Sequence, residues 1–276
     1  MSNKSLFSLE GKTAIVTGAA GYFGRAFAEH LLLSGSKVIL FDKDKKIIDL
    51  VKMLKTHFPL ERIQYYQVDF YDEDYFRDCL VQVVDATQSI DILVNNAFEF
   101  SKNTGFNDPS GKIDSIQKDQ WMRCFESGLY WHAVATQVVA QKMKKQNRGS
   151  IINISSMYAI VSPDPKLYEG KKQFNPPSYS ASKAALLAYT RYVASFYGEY
   201  GVRCNAILAG AFPHVGIESD SKVEDQDFLD RLANRTVLGR VGKVNDLIGP
   251  LLFLASDASD YVTGQGISVD GGWTIQ

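Results

Sequence analysis

The chain has 276 residues, 45% apolar and 22% charged, with 30 Lys plus Arg against 31 Asp plus Glu and a net charge of −1. These ordinary values exclude a disordered chain, and the balanced charge excludes the broad basic field of a general nucleic-acid binder. Cys79, Cys124 and Cys204 are odd in number and widely spaced, and the four histidines form no i,i+4 pair, so neither a disulfide framework nor a metal site is expected.

Thr13 to Thr17 is a short apolar run ending in glycines, and Tyr22 to Gly35 then shows apolar residues at helical spacing and stops at glycine. The run KVILFD reads as a second strand and IIDLVKMLKTHF as a second amphipathic helix. The runs IQYYQVD, DILVNN, SIINISS, VRCNAIL and ISVDGG read as further strands with helical patterns between them. Strands alternating with helices predict βαβ units, hence an α/β fold: a doubly wound, Rossmann-like, seven-stranded parallel sheet with helices on both faces. No linker divides residues 1–276, so one domain is expected. Two segments interrupt the pattern, at about 161–178 and 211–237. The first holds Pro163, Pro165, Pro176 and Pro177 and excludes a continuous helix. Open α/β sheets bind ligands beyond the carboxyl ends of their strands, so both segments are candidate substrate loops. No apolar run reaches ~18 residues, and the first residues lack a signal peptide's apolar core. The expectation is a cytoplasmic enzyme with a small-molecule substrate and neither nucleic acid nor membrane as partner.

Gly18, Gly21 and Gly24 lie between the first strand and the first helix, with Tyr22 and Phe23 inside the loop. Glycines allow a close backbone approach to a pyrophosphate, which the helix N-terminus attracts. Alone, such a triplet is often only a tight turn. Here Asp42 also ends the next strand, 18 residues beyond Gly24. A carboxylate there accepts hydrogen bonds from ribose hydroxyls and repels a 2′-phosphate, which favours NAD over NADP. Lys43 and Lys45 argue for NADP, unless they are only solvated loop charges.

Tyr179 and Lys183 stand four apart at the start of a predicted helix and so point the same way. A phenol is a poor acid or base at neutral pH. A neighbouring ammonium and a positive nicotinamide ring would favour the phenolate, so Tyr179 would exchange a proton while hydride moves. By itself the spacing is a common accident.

Taken in order, TGAAGYFG from Thr17, Asp42, Val68-Asp69, Asn95-Asn96-Ala97, Ser155-Ser156, Tyr179 to Lys183 and the ending YVTGQGISVDGG resemble the short-chain dehydrogenase/reductase family over nearly the whole chain. The resemblance implies an NAD(P)-dependent oxidoreductase interconverting a hydroxyl and a carbonyl. It implies that Asp69 beside Phe70 binds the adenine and that Asn95 and Ala97 line the cofactor path. It also implies that Ser156 positions the substrate oxygen, Tyr179 is the acid/base and Lys183 binds the nicotinamide ribose, with Gly210 and Phe212 near the cofactor. A homodimer or homotetramer is implied as well.

The chain departs from the family at several places. Tyr22 stands at the second family glycine, Phe98 replaces a glycine, and Ala209-Gly210 replaces proline–glycine. Gly128 stands where a catalytic asparagine is usual. That asparagine supports a helix kink whose carbonyl binds a relay water, and a glycine can supply both kink and carbonyl, so a modified relay is expected. Between Ser156 and Tyr179 lie 22 residues, about ten more than usual. Together these features are similar to the oxidoreductases of bacterial flagellin and legionaminic acid glycan biosynthesis, which implies a sugar or sugar-phosphate substrate met by Phe98, Tyr168 and His214. A mouth lined by Lys166, Lys171, Lys172 and His214 would favour that substrate, and solvated surface charge is the plainer account of the same lysines. A mouth lined by Phe98, Phe100, Phe174 and Phe212 would favour a 3-oxoacyl or other apolar carbonyl. A cofactor-binding subunit without turnover is the remaining alternative.

Overall fold

The structure is a computed structural model that describes residues 5–171, 174–213 and 225–276. Seven strands form one sheet: β1 (Thr13–Thr17), β2 (Lys37–Asp42), β3 (Ile63–Gln67), β4 (Ile92–Asn95), β5 (Gly149–Ser156), β6 (Val202–Ala209) and β7 (Gly266–Val269). Their spatial order is β3-β2-β1-β4-β5-β6-β7 and every pairing is parallel. Parallel neighbours need crossovers. Between the strands run α1 (Tyr22–Leu33), α2 (Lys46–Leu54), α3 (Glu73–Ala86), α4 (Lys118–Phe125), α5 (Trp131–Gln146) and α6 (Pro177–Tyr197). Then come α7 (Gln226–Asn234) and α8 (Ile248–Ala255).

The strand residues alternate between two apolar layers, as a period of two requires. Ala14, Val16, Val38 and Leu40 pack with Phe27, Leu31 and Leu251 on one face. Ile15, Ile39 and Phe41 pack with Phe76, Leu80 and Val139 on the other. Because both faces of the inner strands are covered, these read as nearly continuous apolar runs, whereas the edge strands β3 and β7 stay partly exposed. A third, smaller cluster caps the carboxyl ends of the strands and contains Tyr158, Leu167, Tyr179 and Leu232.

The strand order reverses between β1 and β4, which opens a crevice at the carboxyl end of the sheet. A buried polar seam stiffens the sheet just behind it. Asn95 Nδ2 donates to Asn153 Oδ1 at 2.9 Å and to Thr136 Oγ1 at 3.2 Å, and Asn153 Nδ2 donates to Thr190 Oγ1 at 2.9 Å. These bonds tie β4 and β5 to α5 and α6. Between α4 and α5 the helix widens into a π turn, Glu126–Tyr130. The proline-bearing segment after β5 forms only short turns, including Pro165–Tyr168, before α6 starts with Pro177 in its first turn.

Candidate active site

The glycine loop is built by close packing. Gly18 has φ +65°, and a Cβ there would lie 2.7 Å from the Ala97 Cα. A Cβ on Gly24 would lie 2.1 Å from the Gly18 carbonyl oxygen, so a side chain at Gly18 would push the loop off the residues after β4 and one at Gly24 would force the loop itself open. The N-terminus of α1 has no side-chain cap and no acidic residue in its first turn. Its first amide groups and the positive end of its dipole therefore remain available to an anion.

Next to this terminus is a cleft of about 630 Å³, lined in part by Gly18, Gly21, Tyr22, Phe23, Asp42 and Phe70. Ala97, Phe98 and Phe212 line it too. Asp42 accepts the Ala20 N–H at 2.8 Å and the Asp44 N–H at 2.9 Å. Burial raises its carboxyl above the usual range, against the opposing pull of those amides. An uncapped helix N-terminus with a carboxylate wall beside it fits a pyrophosphate and an adenosine ribose. The loop and Asp42 are thus the residues that would hold a nicotinamide dinucleotide, which supplies or accepts hydride when bound.

One expected cofactor contact lies elsewhere. Asn95 is fully buried and spends its amide in the polar seam, so it does not line the path. Its neighbour Asn96 does, and Asn96 Nδ2 donates to the carbonyls of Thr17 at 3.2 Å and Gly18 at 2.9 Å. A strand turns successive residues to opposite sides, so a one-residue misplacement exchanges core for cleft. Asp69 is exposed, and its carboxylate accepts the Tyr71 N–H at 3.1 Å, while Phe70 beside it lines the cleft.

Ser156 ends β5. Its Oγ accepts the Tyr158 N–H at 3.1 Å, which leaves the hydroxyl hydrogen to donate elsewhere. Tyr179 stands in the first turn of α6, 8% exposed, with ring centres of Phe106 at 5.0 Å, Phe98 at 5.2 Å and Phe100 at 6.1 Å. Burial pushes its phenol up to about 12, against a hydrogen bond from Ser156 that lowers it. Lys183 follows one turn later, 2% exposed, and Nζ donates to the Ile154 carbonyl at 2.9 Å. Burial brings its ammonium down to about 8. The lowering of Tyr179 expected from this ammonium does not outweigh burial, because Lys183 is directed at the β5 carbonyl and lies 4.9 Å from the Phe98 ring centre. A carbonyl oxygen placed between Ser156 and Tyr179 would meet two hydroxyl donors. The reverse reaction would need Tyr179 to take the proton.

The substrate side is a second cleft of about 440 Å³ lined by Ser156, Tyr179, Tyr168, Asn175 and Gly210, among others. The Tyr158 and Tyr168 hydroxyls pair at 3.0 Å, and Asn175 Nδ2 donates to the Tyr168 hydroxyl at 2.6 Å. Phe100, Phe106, Phe174 and Phe212 supply apolar wall. No charged side chain lines this cleft among the described residues.

Lys171 points the other way. It pairs with Asp225 and, at 2.6 Å, with Asp227, both at the start of α7. Arg231 donates to the Glu169 carbonyl at 2.8 Å, and the Tyr168 ring lies 6.0 Å from Phe228. The two loops expected to flank the substrate are therefore fastened to each other, by Lys171 and Arg231. Lys166 is exposed outside the cleft lining, and Lys172 and His214 lie outside the described residues. Tyr158, Asn107 and Asn175 line the cleft without having been singled out from the sequence. They sit in loops or, for Tyr158, in the single helical turn Met157–Ala159, too short for periodicity to mark orientation.

A family model described as enoyl-(acyl carrier protein) reductase matches residues 18–274. The chain belongs to the short-chain dehydrogenase/reductase family. It is 33% identical to an L-rhamnose 1-dehydrogenase of Azotobacter vinelandii over 95% of this chain and 96% of that protein. It is 32% identical to a 3-oxoacyl-(acyl-carrier-protein) reductase of Thermotoga maritima over 97% of this chain and 99% of that protein. The solved structure of a gluconate 5-dehydrogenase from Burkholderia cenocepacia, in complex with NADP and tartrate, superposes with a TM-score of 0.82 at 28% identity, covering 98% of each chain. As a member of this family, the protein is an NAD(P)-dependent oxidoreductase acting on hydroxyl and carbonyl groups.

Proposed function

We propose that this short-chain dehydrogenase/reductase interconverts a hydroxyl and a carbonyl on an uncharged, polyhydroxylated substrate of sugar size. The observation that carries the reading is the substrate cleft, which combines aromatic wall, hydroxyls and amides with no charged side chain among the described residues. Aromatic faces suit the C–H faces of a sugar ring, and a few convergent polar groups fix its orientation. Hydroxyls of Tyr158, Tyr168 and Ser156 and the amides of Asn107 and Asn175 can each exchange hydrogen bonds with substrate hydroxyls. A phosphate or carboxylate would enter with no described counter-charge, at a cost that such groups avoid. Similarity to the sugar-oxidising L-rhamnose 1-dehydrogenase supports this reading. A role on glycan precursors, of the legionaminic acid kind, is supported only by Gly128, Phe98 and the long insertion, and we place it second to the substrate class.

In this reading Ser156 and Tyr179 hold the reacting oxygen, Tyr179 exchanges the proton at its Oη, and Lys183 supports the phenol from beneath. The whole chain acts as one unit, and Asp42 favours NAD. Tyr192 and Phe196, exposed and stacked on α6 with ring centres 6.1 Å apart, support assembly into a homodimer or homotetramer, which a mass measurement in solution checks. No helix among the described residues is long and apolar enough to cross a membrane, in keeping with a cytoplasmic location.

The test is NADH formation from L-rhamnose, D-gluconate, a hexose 6-phosphate and a 3-hydroxyacyl thioester, compared by kcat/KM. The neutral sugar should lead by about tenfold or more, the discrimination expected where a site is built to bond hydroxyls. Preference for the thioester would instead support the apolar-carbonyl reading, which Phe100, Phe106 and Phe174 on the cleft wall favour.

A further inference from the structure

One turn after Gly128, α5 buries a histidine. His132 is 1% exposed in a layer otherwise filled by Trp131, Val134, Ala135 and Val139. Its Nδ1 lies 3.1 Å from the Gly128 carbonyl oxygen. A carbonyl only accepts, so Nδ1 carries the proton and Nε2 is left bare. Nε2 is buried and makes no hydrogen bond of ordinary geometry, although the Ala97 carbonyl lies near the ring, a rarity that asks for a reason.

Widening to a π turn takes a carbonyl out of the regular helical ladder, and such turns gather at functional sites. Gly128 sits in the middle of this one. A Cβ there would strike Ser182, at 2.5 Å from Oγ and 2.9 Å from Cβ, and would come 3.2 Å from the Phe98 ring. Phe98 in turn contacts both Tyr179 and Lys183, and Ser182 Oγ donates to the Tyr179 carbonyl at 2.9 Å. The bare backbone at Gly128 is therefore seated against both side chains that pack around the tyrosine–lysine pair. Burial, then the Lys183 charge, hold the His132 pKa down at about 3, against the Gly128 and Ala97 carbonyls. The imidazole therefore stays neutral, with one proton between two neighbouring carbonyls, and the 3.1 Å Nδ1 contact gives it to Gly128.

We propose that His132 is a positioning residue of the active site: its Nδ1–H holds the Gly128 carbonyl, fixes the π turn against Ser182 and Phe98, and through them sets Tyr179 and Lys183. The inference rests on the assignment of Tyr179 and Lys183 as the reacting pair, and it is independent of which substrate is used.

Two measurements test it. Nitrogen-15 NMR of histidine-labelled protein should show His132 at pH 7 as the neutral Nδ1–H tautomer. An Nε2–H tautomer or an imidazolium would overturn the proposal without any turnover assay. In NAD-dependent oxidation of L-rhamnose, His132→Phe should lower kcat about tenfold, the scale of one neutral hydrogen bond, with KM and NADH affinity unchanged. His132→Gln, which restores a side-chain N–H, should recover most of the loss. Equal kcat in the parent and both variants, with only a lowered Tm, would reduce His132 to packing. If the unmodified protein does not oxidise L-rhamnose, the substrate reading fails while the tautomer measurement still decides His132.

Discussion

The cofactor half and the substrate half of this site are held together by different forces. Around the glycine loop the backbone does the work: Gly18 and Gly24 pack against β4 and their own turn, and Asp42 is gripped by two amides. Around the substrate cleft, side chains from distant segments do it, with Lys171 and Arg231 joining the loop after β5 to α7. Backbone packing tolerates almost no substitution and binds a constant ligand. Side-chain fastening can be exchanged piece by piece, which suits the part of the family's site that varies with substrate.

Breaking the pair that spans both halves should have the largest effect. Tyr179→Phe keeps the ring and removes the exchangeable proton, so turnover should fall by ~10²-fold or more while NADH binding, followed by its fluorescence, holds. Near-normal turnover would remove Tyr179 from the chemistry. A cut confined to the cofactor half comes next. Asp42 lines the cofactor cleft, and two like charges ~4 Å apart repel by about 4 kcal/mol at an effective dielectric of 20. Even part of that should make the unmodified protein prefer NADH to NADPH by about tenfold, and Asp42→Ala should narrow the gap. Tighter NADPH binding by the unmodified protein would reverse the cofactor preference.

The smallest effect belongs to the substrate half. Lys171→Ala releases one fastening between the loops, so KM should rise severalfold for any substrate while kcat and NADH affinity stay near their starting values. The carboxylate partners of Lys171 are exposed, and ion pairs reached by solvent are weak singly and screened by salt, so added salt should mimic the substitution in part. A rise in KM confined to phosphorylated substrates would instead make Lys171 a ligand, against its pairing with Asp225 and Asp227.

The same contrast explains what could be read from the sequence. The strands and the glycine loop are written in local pattern, because the inner strands, covered on both faces, are apolar throughout and a tight turn against Ala97 demands glycine, while the edge strands β3 and β7 are half exposed and stand out by their β-branched and aromatic residues. Ser156, Tyr179 and Lys183 stood out as an ordered set, and the structure brings them to one end of the sheet. Asn95 was misplaced by one residue because alternation decides which asparagine faces the cleft. The lysines of the insertion suggested a phosphate site, yet the partners of Lys171 are 54 or more residues away in sequence and carry no local mark of pairing. His132 gave no signal at all, since a histidine on an apolar helix face looks like any core residue until its acceptor, the Gly128 carbonyl, is seen.

The central claim is that the aromatic cleft, uncharged among the described residues, selects an uncharged substrate. Its most direct test is kcat/KM, with NAD, for one hexose measured alongside its own phosphate ester. The account predicts a ratio of about ten or more in favour of the neutral sugar, insensitive to salt. A ratio below one that moves toward unity as salt is added would contradict it, and would place a charged contact at the mouth of the site.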